Sequence, residues 1–177
     1  MKVVAKTPGL ATLFRRLNFR AKIIPSDELA AWRSALRARG GRLVVTNGCF
    51  DLLHPGHVTY LEAARNLGDA LLVGLNADAA VRALKGADRP VNSEEDRALV
   101  LAALESVDRV CVFPERTATR FLTLVQPDIY VKGGDYTLES LNQEERATVE
   151  RAGGKIIVLP IVPGKSTTAM LAKIARL

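Results

Sequence analysis

The chain reads as an α/β domain with a five-stranded parallel sheet and helices on both faces. Three observations predict this. Strand-like runs at residues 43–46, 70–75, 109–113, 128–132 and 155–159 alternate with stretches of helical periodicity. No hairpin signal joins consecutive runs, so the crossovers are helical and the strands run parallel. Residues 70–75 are apolar throughout, as in a strand covered on both faces.

Each element has a local reason. Ser26 reads as an N-cap with Asp27 and Glu28 in the first turn. Leu29, Trp32 and Leu36 mark that helix's inner face, and Gly40-Gly41 ends it. After the first strand, Leu61, Ala64 and Leu67 recur at helical spacing over 58–67. A short helix spans 78–84, and 85–92 is a polar loop with Gly86 and Pro90. Ser93 then caps a helix running to Glu105 that turns Leu99, Ala102 and Ala103 inward. Helices over 117–125 and 142–152 stop at Gln126-Pro127 and Gly153-Gly154. A last helix starts near Thr167.

Composition narrows the function. The 177 residues are 48% hydrophobic, enough for one domain with its own core. Two isolated cysteines fit a reducing compartment, and no apolar run reaches the length of a membrane span. The N-terminus lacks an apolar core followed by a small-residue cleavage site, so the expected location is cytoplasmic. The net charge of +6 is unevenly spread: residues 1–42 hold ten Lys or Arg against two acids, and the remainder is close to neutral. Residues 1–24 therefore read as a basic extension and 25–177 as the domain. Without aromatic interleaving, the extension reads as solvated rather than as a nucleic-acid arm, and no membrane partner is expected.

The chemistry concentrates at Asn47-Gly48-Cys49-Phe50-Asp51-Leu52-Leu53-His54-Pro55-Gly56-His57, between the first strand and the next helix. A helix N-terminus after a Gly-containing turn binds anions through free N–H groups and the helix dipole. The chain's two histidines both lie here, three residues apart, and Gly56 removes a side chain between them. In parallel sheets ligands bind beyond the carboxyl ends of the strands, where this turn emerges. A Cys₂His₂ zinc set from Cys49, His54, His57 and Cys111 is disfavoured, because neither cysteine has a second ligand at short spacing. Pro163-Gly164-Lys165-Ser166-Thr167-Thr168 mimics the end of a P-loop, but Leu159 stands where the first Gly would be.

The pattern G-x-F-D-x-x-H-x-G-H, Gly48 to His57, resembles the signature of the cytidylyltransferase-like nucleotidyltransferases. Thr46 to Asp51, Leu84-Lys85-Gly86 with Arg89-Pro90-Val91-Asn92, Val131 to Tyr136, and Ser166-Thr167-Thr168 together resemble the heptose 1-phosphate adenylyltransferases of that family over about residues 23–177. The resemblance implies a Rossmann-like domain. It also implies transfer of AMP from ATP to D-glycero-β-D-manno-heptose 1-phosphate, giving ADP-heptose for lipopolysaccharide core biosynthesis and pyrophosphate. A polyol-phosphate cytidylyltransferase and a non-catalytic nucleotide-binding regulatory module are the alternatives.

The same resemblance assigns residues. His54, His57, Lys85 and Arg97 are the expected catalytic groups. Asn47, Gly48, Cys49, Phe50, His54, Gly56, His57, Lys132, Gly133, Asp135, Gly164, Ser166, Thr167 and Thr168 are expected to bind the nucleotide. Asp51, Lys85 and Arg89 are expected at the sugar phosphate. Arg97 stands in the first turn of its helix, where a solvated cation gains nothing from the dipole, which favours a ligand. The implied partners are ATP and a sugar 1-phosphate, with magnesium held mainly by the nucleotide phosphates, in a homodimer or higher assembly.

Overall fold

A computed structural model describes residues 18–134, 136–137, 139–160 and 162–176. Five parallel strands, β1 (Leu43–Gly48), β2 (Ala70–Asn76), β3 (Arg109–Phe113), β4 (Ile129–Gly133) and β5 (Lys155–Leu159), lie in the order β3-β2-β1-β4-β5. The helices are α1 (Leu29–Ala38), α2 (Pro55–Arg65), α3 (Asp78–Lys85), α4 (Glu94–Ala103), α5 (Thr119–Val125), α6 (Gln143–Arg151) and α7 (Thr167–Ile174). None of the described helices is long and apolar enough to cross a membrane.

Side chains alternate between two cores, as strand geometry requires. Leu43 and Val45 of β1 and Leu72 of β2 pack with Leu29, Leu36, Phe121, Leu122 and Val149, from α1, α5 and α6. Val44, Leu71, Val73 and Leu75 face Leu61 and Ala64 of α2 and Leu101 and Ala102 of α4. Every residue of β2 is buried, which explains its unbroken apolar run. Within it, Gly74 makes room for α5: a Cβ there would lie 2.6 Å from the Phe121 ring.

The amino edge of the sheet is tied by carboxylates. Asp128 accepts from Leu43 N at 2.6 Å and pairs with buried Arg33 at 2.8 Å. Asp108 accepts from Leu71 N at 2.8 Å and pairs with Arg65 at 2.7 Å. Asp69 accepts from Arg42 N at 2.7 Å.

Three expectations shift. Residues 1–17 lie outside the described residues, but Phe19–Lys22 forms a 3-10 helix, Ile23 bridges Val110, and Ile24 N donates to Val110 O at 2.9 Å. The end of the basic extension is thus docked on β3. The first helix begins at Leu29, after a turn over 26–28, so Ser26 does not cap it with its side chain. In α4 the inner face is Arg97, Ala98, Leu101 and Ala102, rotated by one position from Leu99, Ala102 and Ala103. The rotation follows from burying Arg97, which periodicity alone assigns to solvent.

Candidate active site

β1 is the central strand, with β2 on one side and β4 on the other, so the order reverses direction beside it. Ligands of such sheets bind at this switch point. Pairing between β1 and β4 covers Val44 with Ile129 and Val45 with Tyr130, after which polar side chains bridge the two strands. Tyr60 of α2 joins Thr46 Oγ1 at 2.7 Å and Val131 O at 3.0 Å. On the other face Lys132 Nζ donates to Asn47 Oδ1 at 2.7 Å.

The turn after β1 carries Phe50 in a left-handed conformation, φ 41°. Such a backbone costs a bulky residue about 1–2 kcal/mol, and Phe50 offsets it by burying its ring in the α2/α4 core. His54 is the N-cap of α2 with Pro55 at the first helical position. Its side chain makes no capping bond; Pro55 has no N–H and His57 N donates to His54 O at 2.9 Å, so Gly56 N is the first-turn donor without a partner among the described residues.

The His54 and His57 rings stack, centroids 3.9 Å apart, and Phe50 lies 5.4 Å from His57. Among the described residues neither Nδ1 atom, both buried, has a hydrogen-bond partner. Burial pushes the His57 imidazole down to about 4, and neighbouring His54 adds to this. Burial also lowers His54, and Lys165 contributes to that shift. Both rings are therefore neutral at pH 7 and gain from a polyanion that supplies the missing charge and partners. Gly56 cannot be larger at no cost: a Cβ would sit 3.0 Å from His54 Nδ1 and 3.2 Å from Lys165 Cβ.

Ser166 caps α7 by accepting from Ala169 N at 3.1 Å, and Thr167 Oγ1 donates to Leu52 O at 3.2 Å. That second bond draws the start of α7 to the motif turn and places Lys165 beside Gly56. Gly164 adopts φ 71° just before it, and Thr168 is exposed. The sequence signals Lys165 only through its adjacency to Ser166-Thr167-Thr168.

Two of the expected ligand residues have their polar groups engaged within the fold. Arg97 is 2% exposed, and its guanidinium donates to Asn92 O, Cys49 O and Asn76 O and pairs with Asp78 at 2.8 Å. It staples the motif turn, the end of β2 and the 86–93 loop together, which accounts for its place in the first turn better than a ligand does. Asp51 is 5% exposed. It accepts from Val91 N and Asn92 N and pairs with Arg89 at 2.6 Å, so its carboxylate fixes the loop and is not free for a sugar phosphate. Lys85, at the end of α3, is exposed, and its charge reaches Cys49. The Cys49 thiol is nonetheless raised, by burial. Cys111 lies in the opposite core, its thiol pushed up to about 12, so it does not join the histidines. Gly133 packs on Tyr60, and Asp135 lies outside the described residues.

A motif turn with paired histidines at the switch point faces a helix start with Lys165, an arrangement that can receive an anion. Residues 45–172 match the family model described as cytidylyltransferase-like.

The chain belongs to the cytidylyltransferase-like family.

It is a nucleotidyltransferase by that membership. Among its relatives, a "Bifunctional protein HldE" of Geotalea uraniireducens is 54% identical over 154 residues, 87% of this chain and 31% of that protein. One of the same name from Geobacter sulfurreducens is 44% identical over 180 residues, 99% of this chain and 36% of that protein. The chain thus spans about a third of the length of these curated relatives. A solved lipopolysaccharide core biosynthesis protein from Thermoplasma volcanium superposes with a TM-score of 0.58 at 29% identity, covering 70% of this chain and 98% of that one.

Proposed function

We propose that the chain transfers AMP from ATP to D-glycero-β-D-manno-heptose 1-phosphate, giving ADP-heptose for lipopolysaccharide core biosynthesis and releasing pyrophosphate. The observation that carries the nucleotide half is the stacked His54–His57 pair with both Nδ1 atoms unpartnered at the start of α2. The heptose half is supported by the run of motifs shared with heptose 1-phosphate adenylyltransferases, and by relatives named HldE and a structural neighbour from lipopolysaccharide core biosynthesis.

In this reading a sugar-phosphate oxygen attacks the α-phosphorus of ATP in line. The new P–O bond forms as the bond from the α-phosphorus to the bridging oxygen breaks, and its electrons leave with pyrophosphate. The attacking phosphate is already ionised, so no protein base is needed. The protein's contribution is positioning and charge neutralisation. His54 and His57 donate to the triphosphate as charge moves toward the leaving group, assisted by Lys165 and the α7 N-terminus. Lys85 offsets repulsion between the two substrates. Arg89, held by Asp51, faces the same task at the acceptor, while Arg97 acts at one remove by fixing the loop that carries Arg89. Among the described residues no cluster of three His, Cys, Asp or Glu could hold a metal. Magnesium would therefore be carried mainly by the nucleotide phosphates, and it would supply charge neutralisation there.

The test is pyrophosphate release with heptose 1-phosphate and ATP, CTP or GTP in parallel, with magnesium. Preference for ATP supports the assignment. Turnover with CTP alone keeps the mechanism but replaces the base. Nucleotide binding without turnover favours a regulatory module.

A further inference from the structure

Glu145 is a carboxylate where helix periodicity asks for an apolar residue. On α6 and the turn before it, Leu141, Glu145, Thr148 and Val149 are the buried positions, at the i, i+4, i+7 and i+8 spacing of an inward face. A buried ion costs several kcal/mol in desolvation unless its partners are well placed. Glu145, 6% exposed, has three. Its Oε1 accepts from Ala118 N at 2.7 Å, just before α5. Its Oε2 accepts from the Tyr130 hydroxyl at 2.8 Å and lies 3.3 Å from Lys132 Nζ.

Lys132 is the lysine that spans the β1–β4 crevice to Asn47 Oδ1. Tyr130 meets the same oxygen at 2.6 Å, so Asn47, Tyr130, Lys132 and Glu145 form one network at the carboxyl edge of the sheet. Burial pulls the Lys132 ammonium below the usual lysine range, and Glu145 pushes it back up. Among the described residues, the other groups set around Lys132 are two tyrosine rings and an amide. Its own strand supplies Tyr130, with the ring centroid 5.0 Å from Nζ, and the following turn supplies Tyr136, at 5.7 Å. β1 supplies Asn47, while Tyr60 of α2 bonds the intervening Val131 carbonyl on the opposite face.

We propose that Glu145 is a positioning residue for nucleotide binding: it keeps Lys132 protonated and aimed across the β1–β4 crevice, so that a fixed cation meets the incoming nucleotide. An apolar residue would fill the same space and leave Lys132 free to lose its proton. The proposal rests on the carboxyl edge being an ATP site and is independent of which sugar phosphate accepts the AMP.

ATP affinity measured by calorimetry from pH 7 to 10, without acceptor, tests it in the wild type, Glu145→Gln and Lys132→Arg. In the wild type, affinity should fall at the alkaline end as Lys132 deprotonates. Glu145→Gln should move that fall to lower pH by about one unit, the scale on which a nearby opposite charge shifts a buried group. Lys132→Arg should abolish the fall, because arginine stays charged throughout this range. A Glu145→Gln curve that coincides with the wild type, whatever its melting temperature, overturns the proposal. If Glu145→Gln does not fold, a fall that persists in Lys132→Arg overturns it equally. Absence of ATP binding by the wild type at every pH overturns both this proposal and the nucleotide reading beneath it.

Discussion

The two edges of the sheet use polar residues in opposite ways. At the amino edge, Asp69, Asp108 and Asp128 each accept from a backbone N–H at or beside the start of a strand, and the last two also pair with an arginine. Those carboxylates are occupied by the fold. At the carboxyl edge, His54 and His57 carry ring nitrogens unpartnered among the described residues, and Lys85 stands exposed. Polar groups satisfied inside the fold stabilise it, whereas polar groups left open keep their binding energy for a ligand.

The comparison can be broken from either side. The largest effect is expected at the open edge, where His57→Ala should lower the rate of nucleotidyl transfer by about 10²–10³. The fold should survive, since the ring has no partner at Nδ1 among the described residues to lose. Steady-state rates beside a thermal melt check both halves. Near wild-type turnover would remove His57 from the mechanism. At the closed edge, Asp128→Ala should do the reverse. It strands the buried Arg33 guanidinium and the Leu43 N–H, costing about 3 kcal/mol of stability. For a chain of this size that lowers the melting temperature by roughly 6–12 °C, with turnover per folded molecule unchanged.

Smaller effects sharpen the same contrast. Gly56→Ala should push the His54 ring or Lys165 aside by a few tenths of an ångström. Misplacement on that scale should cost about tenfold in rate with little change in melting temperature. The pH dependence of stability is the subtlest. His57 has its proton affinity lowered to about 4 in the fold from an ordinary 6.5, so the unfolded chain binds the proton more tightly between those values. The stability this residue contributes is complete above about pH 6.5 and is lost as the pH falls toward about 4. Denaturant titrations across that window should give a shallower slope for His57→Gln than for the wild type.

What the sequence disclosed depended on how local the signal was. Alternation of strands and helices follows from periodicity, so the parallel sheet and all five strands were legible, as was the helix start at Ser93, whose hydroxyl accepts from Asp96 N. The H-x-G-H turn was legible because the residues that meet in space are neighbours in the chain. The internal contacts of Arg97 were not legible because its partners, the Cys49 and Asn76 carbonyls, lie 48 and 21 residues away. Those of Asp51 were hidden likewise, its partners being 38 to 41 residues distant. Glu145 drew no reading from the sequence, although its place on the apolar stripe of α6 is a clue. Lys165 needed the bond from Thr167 to Leu52, 115 residues apart, to bring it to the histidines.

The most direct test of the open edge uses the fact that the chain has only two histidines. Imidazole NMR signals followed from pH 3 to 9, with and without ATP, report both rings without interference from others. The account predicts a low-titrating ring near pH 4 in the free protein, and a rise in its pKa with movement of both sets of signals when ATP binds. Signals that stay unchanged while ATP binds would place the nucleotide elsewhere and contradict the account.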